Sequence, residues 1–192
     1  MSEKISHLPR GSNTAIPGYR PGTWKADPAR STIAFAVRQL VFTTVRGRFT
    51  GHDVTIVTGE DPRGSSVEVT IDLASLDTGN PKRDEHLGAA FFDVAKYPTM
   101  SYRSTGVHYA DDGWVVDGEL TLHGITRPVP LAVAPTRFGP GPGGEQRAGF
   151  SATARVNRSE FNIDQWTGGG VVVSDKVSVS LEIEAVLYSS QE

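Results

Sequence analysis

The chain has no cysteine, which removes disulfides, thiol nucleophiles and thiolate metal ligands together and fits a reducing compartment. Its opening residues, MSEKISHLPRGSNTAIPGYRPG, lack the apolar stretch of a secretory signal. No window is apolar enough to span a bilayer, so the expected location is cytoplasmic. Clustered basic charge is scarce as well. The net charge is −3, and the short pairs Arg46/Arg48 and Lys82/Arg83 have apolar or acidic neighbours, so no nucleic-acid partner is expected. There is no GxSxG elbow, no GxxxxGK phosphate loop and no GxGxxG dinucleotide fingerprint. Gly168-Gly169-Gly170 precedes a strand pattern and so lacks the helix N-terminus that would hold phosphate. The histidines, His7, His52, His86, His108 and His123, show no HxH, HExxH or HxxxH spacing. Neither a metal nor a cofactor is expected.

What the sequence does contain is period-two alternation. Ile33, Phe35 and Val37 alternate with Thr32, Ala34, Ala36 and Arg38. Val67, Val69, Ile71 and Leu73 follow the same rule, as do Leu120 and Leu122, then Val129, Leu131 and Val133, then Phe150, Ala152, Ala154 and Val156. The run Val177, Val179, Leu181, Ile183 and Ala185 against Ser178, Ser180, Glu182 and Glu184 is the clearest. Such strands have one dry and one wet face, as in antiparallel sheets. Two further strands, near 45–57 and 99–109, are less regular, and the first changes parity at Gly51, which predicts a bulge. Asp111-Asp112-Gly113 reads as a hairpin turn and Gly139-Pro140-Gly141-Pro142-Gly143-Gly144 as a loop. About eight strands result, which suits a small barrel, although periodicity does not separate a barrel from a sandwich.

One stretch breaks this rhythm. Over 82–96, Leu87, Ala90, Phe91 and Val94 recur at helical spacing between Pro81 and Pro98, with Asp84 and Glu85 in the first turn and Lys96 in the last. A short helical turn is also expected near 38–42. Residues 1–22 read as a flexible arm, 23–188 as one domain and 189–192 as a tail.

Asp77-Thr78-Gly79 reproduces the core of an aspartic protease site, but such a site needs two carboxylates sharing a proton, and the chain has one such motif. Asn80-Pro81 and a charged helix start follow at once. The local reading is a turn stabilised by Asp and Asn side chains, from strand into helix.

Four segments together resemble the YceI-like family of bacterial lipocalin-like polyisoprenoid-binding proteins. They are FAVRQLVFTTVRGRF from Phe35, SLDTGNPKRDEHLGAAFFDVAKYPTMSY from Ser75, GELTLHGITRPVPL from Gly118 and RAGFSATARVNRSEFNI from Arg147. The resemblance covers about 24–187. It implies an all-β, eight-stranded antiparallel barrel with one main helix, whose lumen holds a long-chain amphipathic lipid such as a polyisoprenoid or an isoprenoid quinone. It also implies transient membrane contact and a homodimer. Many family members carry a histidine where this chain has Gln39.

On this reading, the inward ligand-binding candidates are Phe35, Val37, Gln39, Phe42, Val45, Phe49, Val69 and Ile71 on the first half of the chain. Leu87, Phe91 and Phe92 come from the helix at the mouth. Met100, Tyr102, Leu120, Leu122, Phe150, Phe161, Trp166, Val179 and Leu181 complete the set. Small inward residues, Gly118, Ala152, Ala154 and Ala185, are expected to leave the channel open. Arg38, Gln39, Asp164 and Trp166 are candidates to orient a head group. The absence of a catalytic constellation favours non-catalytic binding for storage, transfer or sequestration. Two other readings stay open: a hydrolase or isomerase using the same cavity, and a stress-linked interaction module.

Overall fold

The structure, a computed structural model, describes residues 15–39, 42–111, 113–163 and 173–188. Twelve strand segments form one antiparallel sheet. They are β1 (Gly22–Ala26), β2 (Thr32–Gln39), β3 (Thr43–Phe49), β4 (His52–Thr58), β5 (Ser66–Asp72), β6 (Leu76–Asp77), β7 (Thr99–Ala110), β8 (Gly113–Leu122), β9 (Ile125–Pro128), β10 (Leu131–Pro140), β11 (Gln146–Asn157) and β12 (Val173–Tyr188).

Many of these segments lie end to end. β1 and β2 share one edge of β12, with Ala26 opposite Ala185 and Thr32 opposite Glu182. β3 and β4 follow them in turn, with Phe49 opposite Ile33 and Thr55 opposite Lys25. β5 and β6 continue the same pattern across a short 3-10 turn, Leu73–Ser75. β9 and β10 both pair with β8, on either side of Val129 and Pro130. With β7, β8, β11 and β12, these make eight composite strands, and the β1–β12 pairing closes them into a barrel. The parity change at Gly51 is the joint between β3 and β4: Phe49 points inward, and so do Val54 and Ile56.

The turns follow local chemistry. His123 and Gly124, both at positive φ (54° and 74°), join β8 to β9 in the conformation that two-residue hairpins favour. His123 therefore sits in a turn. Asp111, at φ 50°, serves the β7–β8 hairpin, where Ala110 pairs with Gly113. β10 runs through Pro140, so the Gly/Pro-rich loop is shorter than expected.

The helix α1 spans Pro81–Ala90 and stops earlier than the expected 96. Pro81 occupies the first turn, where its missing N–H costs nothing, and the Asn80 side chain caps by accepting from Arg83 N at 3.1 Å. Such a cap contributes about 1 kcal/mol. Asp93 adopts a left-handed φ of 46° and turns the chain, so Lys96 lies beyond the helix, over the Tyr97 ring. The helical turn expected near 38–42 is not seen at Arg38 and Gln39, which end β2; residues 40–41 lie outside the described residues.

One end of the barrel is plugged. Phe138 meets Trp24 and Phe150 edge to face there and Tyr19 at a tilt, with ring centroids 5.4–5.6 Å apart. Trp24 Nε1 donates to Thr58 Oγ1 at 2.8 Å, and Tyr19 Oη donates to Gly59 O at 2.7 Å. Tyr19 falls in the stretch expected to be a flexible arm; instead, it forms part of the plug. Beside it Arg147, with only 10% of its side chain exposed, bridges Glu145, Asp27 and Glu184.

The other end is only partly closed by hydrogen bonds. β3 meets β6 at just Arg48–Asp77 and Phe49–Leu76. α1 connects β6 to β7 across this gap and buries Leu87 and Phe91. Burying such side chains contributes roughly 2 kcal/mol each. A 3-10 turn, Arg158–Phe161, packs against β9 past the end of β11, with Phe161 fully buried.

Candidate functional site

Asp77 is settled by its contacts. It ends β6, accepts from Gly79 N at 2.9 Å, and forms an ion pair with Arg48 across the β3–β6 pairing. These two contacts, the backbone N–H first, hold its carboxyl below the usual aspartate range. Asp77 is thus a turn and cross-strand residue, as its local sequence suggests.

Among the described residues, two cavities lie in the interior. The first, about 150 Å³, opens at the α1 end. β2 supplies Phe35, Val37 and Gln39; β3 supplies Val45 and Phe49; α1 and the residues after it supply Leu87, Phe91 and Phe92. Met100, Leu120, Leu122 and Val179 complete the wall among the expected residues. Phe35, Phe49 and Phe92 form an aromatic run, with centroids 5.7 and 6.0 Å apart. The second cavity, about 110 Å³, lies toward the plugged end, and Val69, Phe150 and Leu181 line it.

Tyr102 and Ile71 line neither cavity. With Ile33 they are buried at the level between the two, where Val179 faces the first cavity and Leu181 the second. Tyr102 Oη lies 2.9 Å from Val129 O and 3.2 Å from Val116 O, so it donates to the backbone at the β9/β10 break. Burial, with the Asp117 charge adding to it, pushes this phenol well above its ordinary range. Gly118 was expected to leave open channel; its missing side chain is instead the space that the Tyr102 ring occupies. A Cβ there would stand 2.3 Å from Tyr102 Oη. Gly47 serves Phe35 in the same way, with a Cβ position 2.5 Å from the ring. Ala185 is fully buried in the packed end and opens nothing, Ala154 packs on the core, and Ala152 alone of the small set lines the second cavity.

Other expectations are corrected too. Phe42 is 97% exposed and outside the lumen. Phe161 is core, its carbonyl accepting from His123 Nδ1 at 3.1 Å. Arg38 is exposed and alternates with inward Val37 and Gln39, so it faces away from the lumen. Asp164 and Trp166 lie outside the described residues.

Sequence reasoning missed several wall residues. Val156 and Val177 were legible as inward by alternation. Arg83 and Arg158 were not, because neither is apolar nor part of a period-two pattern. Arg83 Nε donates to Thr78 Oγ1 and its Nη2 to Thr78 O, both at 2.8 Å. Arg158 donates to Ser174 O, Ile163 O and Val173 O, tying β12 to the 3-10 turn. Arg83, Arg158 and Gln39 are polar residues among the lining of the first cavity, but the surface it presents is apolar, and both guanidiniums are turned to Thr78 or to backbone carbonyls.

A small closed antiparallel barrel with an apolar lumen opening beside a helix belongs to the lipocalin-like class. Within that class, the chain belongs to the YceI-like family: the YceI-like domain model matches residues 24–185. A UPF0312 protein of Yersinia pestis is 36% identical over 156 residues, covering 80% of each chain. Protein YceI of Escherichia coli O17:K52:H18 is 35% identical over the same length and shares. Among solved structures, the YCEI protein of Campylobacter jejuni superposes with a TM-score of 0.68 at 27% identity, covering 79% of this chain and 90% of that one. BcnA of Burkholderia cenocepacia (TM-score 0.73, 22% identity, 83% and 98% coverage) shares the fold. So does a polyisoprenoid binding domain from Saccharophagus degradans implicated in plant cell wall breakdown (0.68, 16%, 88% and 100%).

Proposed function

We propose that this protein binds a long-chain amphipathic lipid, such as a polyisoprenoid or an isoprenoid quinone, in the barrel lumen without transforming it. The observation that carries this reading is the first cavity: walls that present apolar surface, and an opening beside α1. The fold shared with a polyisoprenoid binding domain supports the same ligand class. Sites of this kind are concave and lined predominantly by apolar and aromatic side chains.

The volume sets the terms of binding. A cavity of about 150 Å³ lined by Leu, Ile and Phe stays dry and accepts a molecule the size of benzene. The first cavity therefore takes a few carbons as it stands. A longer chain enters by displacing side chains, with Phe92 and Met100 at the α1 end and the Ile33–Ile71–Tyr102 level deeper in. Each buried methylene contributes about 0.8 kcal/mol before ordering costs.

The buried polar residues favour binding over catalysis. Ser31, Thr58 and Arg147 are all engaged at or near the plugged end, holding backbone, Trp24 or carboxylates, away from the first cavity. Native mass spectrometry of gently purified protein is the test. A stoichiometric long-chain lipid adduct is expected. Protein that carries no lipid and takes up neither added polyprenol nor added quinone overturns the proposal, and turnover of a bound lipid would restore the enzyme reading.

A further inference from the structure

The outer surface at the mouth carries a charge pattern that the lumen does not use. β2 ends at Gln39 and β3 begins at Thr43, both at the mouth. Phe42, immediately before β3, is 97% exposed. Behind it, the outward positions of four adjacent strands carry Arg46 on β3, Arg38 on β2, Lys176 on β12 and Arg155 on β11, all exposed. The register sets Arg155 opposite Ser178, Ser178 opposite Ala36, and Ala36 opposite Arg46. Two arginines thus flank two small residues over three strand spacings, about 14 Å. A shallow groove floored by Ala34, Ala36, Ser178 and Ser180 runs between them.

Among the described residues, none of these four cations has a carboxylate partner, whereas Arg48, Arg103 and Arg147 elsewhere are each paired. The two carboxylates nearby keep their charge but number half the cations: Asp175 accepts from Ser159 N and Oγ, and Glu160 from Asn157. The next outward acid along β12, Glu182, lies beyond Ser178 and Ser180, toward the plugged end. Across the mouth, exposed Lys82 and Glu85 on α1 offset one another. Positive charge is therefore concentrated on one face, next to the exposed Phe42.

We propose that Phe42 and this cationic face dock the barrel, mouth toward the surface, on an anionic lipid bilayer. Phenylalanine inserts at the boundary between head groups and acyl chains, and arginine and lysine pair with lipid phosphates while their stems cover apolar surface. A second copy docking through this face would set like charges together. An acidic protein would answer the cations but not the fully exposed Phe42. Gln39 and Val173, paired at the mouth, line the first cavity, so docking presents that opening to the bilayer. The docking stands apart from the lumen reading; only its purpose, loading or delivering lipid, rests on it.

Flotation with two vesicle types tests this: phosphatidylcholine alone, and phosphatidylcholine mixed with phosphatidylglycerol. The protein should bind the mixed vesicles at low ionic strength, lose them as salt rises, and ignore the neutral ones. Phe42→Ser should weaken binding about tenfold, and the pair Arg46→Gln, Arg155→Gln about fivefold for each cation removed. These side chains are exposed, and circular dichroism should show an unchanged fold. The proposal is overturned by failure to bind mixed vesicles, by equal binding to both types, or by variants that bind as the parent does. A change in sedimentation caused by these variants without vesicles would overturn it in favour of self-association. Vesicle binding by a protein with no lumen lipid would sink the lumen reading alone; lipid-loaded protein that ignores anionic vesicles would sink the docking alone.

Discussion

Gly118→Ala places one methyl group where the structure has least room for it. The new Cβ would stand 2.3 Å from Tyr102 Oη, 2.4 Å from Tyr102 Cζ and 2.7 Å from Arg103 O. The first two contacts are to a ring held at both ends, by its own strand and by its hydrogen bond to Val129 O. The third is backbone and cannot turn aside. Overpacking of this kind costs about 1–3 kcal/mol. Driving the phenol off Val129 O removes a further hydrogen bond, about 1 kcal/mol net. The expected destabilisation is therefore roughly 2–4 kcal/mol, large for a single added methyl. Urea unfolding at neutral pH measures it, and the midpoint should fall with the slope unchanged. A double-mutant cycle with Tyr102→Leu isolates the cause. Removing the ring relieves the larger clash, so the double variant should be more stable than the summed losses by roughly 1 kcal/mol or more. If Gly118→Ala lies within about 0.5 kcal/mol of the parent, or the two losses simply add, the account of Gly118 as the seat of the Tyr102 ring is wrong.

Asp77→Asn should lower stability modestly and remove no activity. Because the Asp77 carboxyl is held below the free value of 3.8, its contribution is present above that value and is lost as pH falls through the lower folded value. The deficit of the variant should accordingly shrink in that acid range, and a deficit constant with pH would refute the role of the Arg48 pair. Val177→Trp should fill the first cavity and abolish the lipid adduct in native mass spectra while circular dichroism stays unchanged; a retained adduct would place the chain elsewhere. Val133→Trp, in the wall of the second cavity, should spare short ligands and exclude only chains that pass the Tyr102 level, which a mass series of added prenols of increasing length resolves.

Much of the barrel was legible because a two-sided strand writes its geometry locally. The alternation from Val177 to Ala185 states which side chains face inward, and Gly51 marks the joint where that parity changes. The strand-to-helix junction from Asp77 to Pro81 was readable for the same reason, since an aspartate turn, an asparagine cap and a first-turn proline act within a few residues. The helix end was not. The same Leu87–Val94 spacing fits a helix to 96, and the left-handed turn at Asp93 depends on docking of Phe91 and Phe92 against the barrel. By sequence Tyr19 belongs to an arm, because it sits among prolines and glycines, yet its partners, Phe138 and Gly59, are far along the chain.

The lumen shows the division most clearly. Alternation placed Tyr102 and Gly118 inward without stating that one fills the space of the other, or that the pair lies between two cavities. It gave no weight to Arg83 and Arg158, because an arginine's place on a cavity wall is set by the carbonyls it reaches and not by its neighbours in sequence. Nor did it gather Arg38, Arg46, Arg155 and Lys176 onto one face, since they come from four strands brought side by side by barrel closure. What the sequence alone determined was the face each residue shows and the places where the chain turns, because those follow from backbone period and local hydrogen bonds. What only the tertiary structure decided was which inward residues meet, how much space they leave and where charge goes unanswered, because those depend on contacts between distant segments.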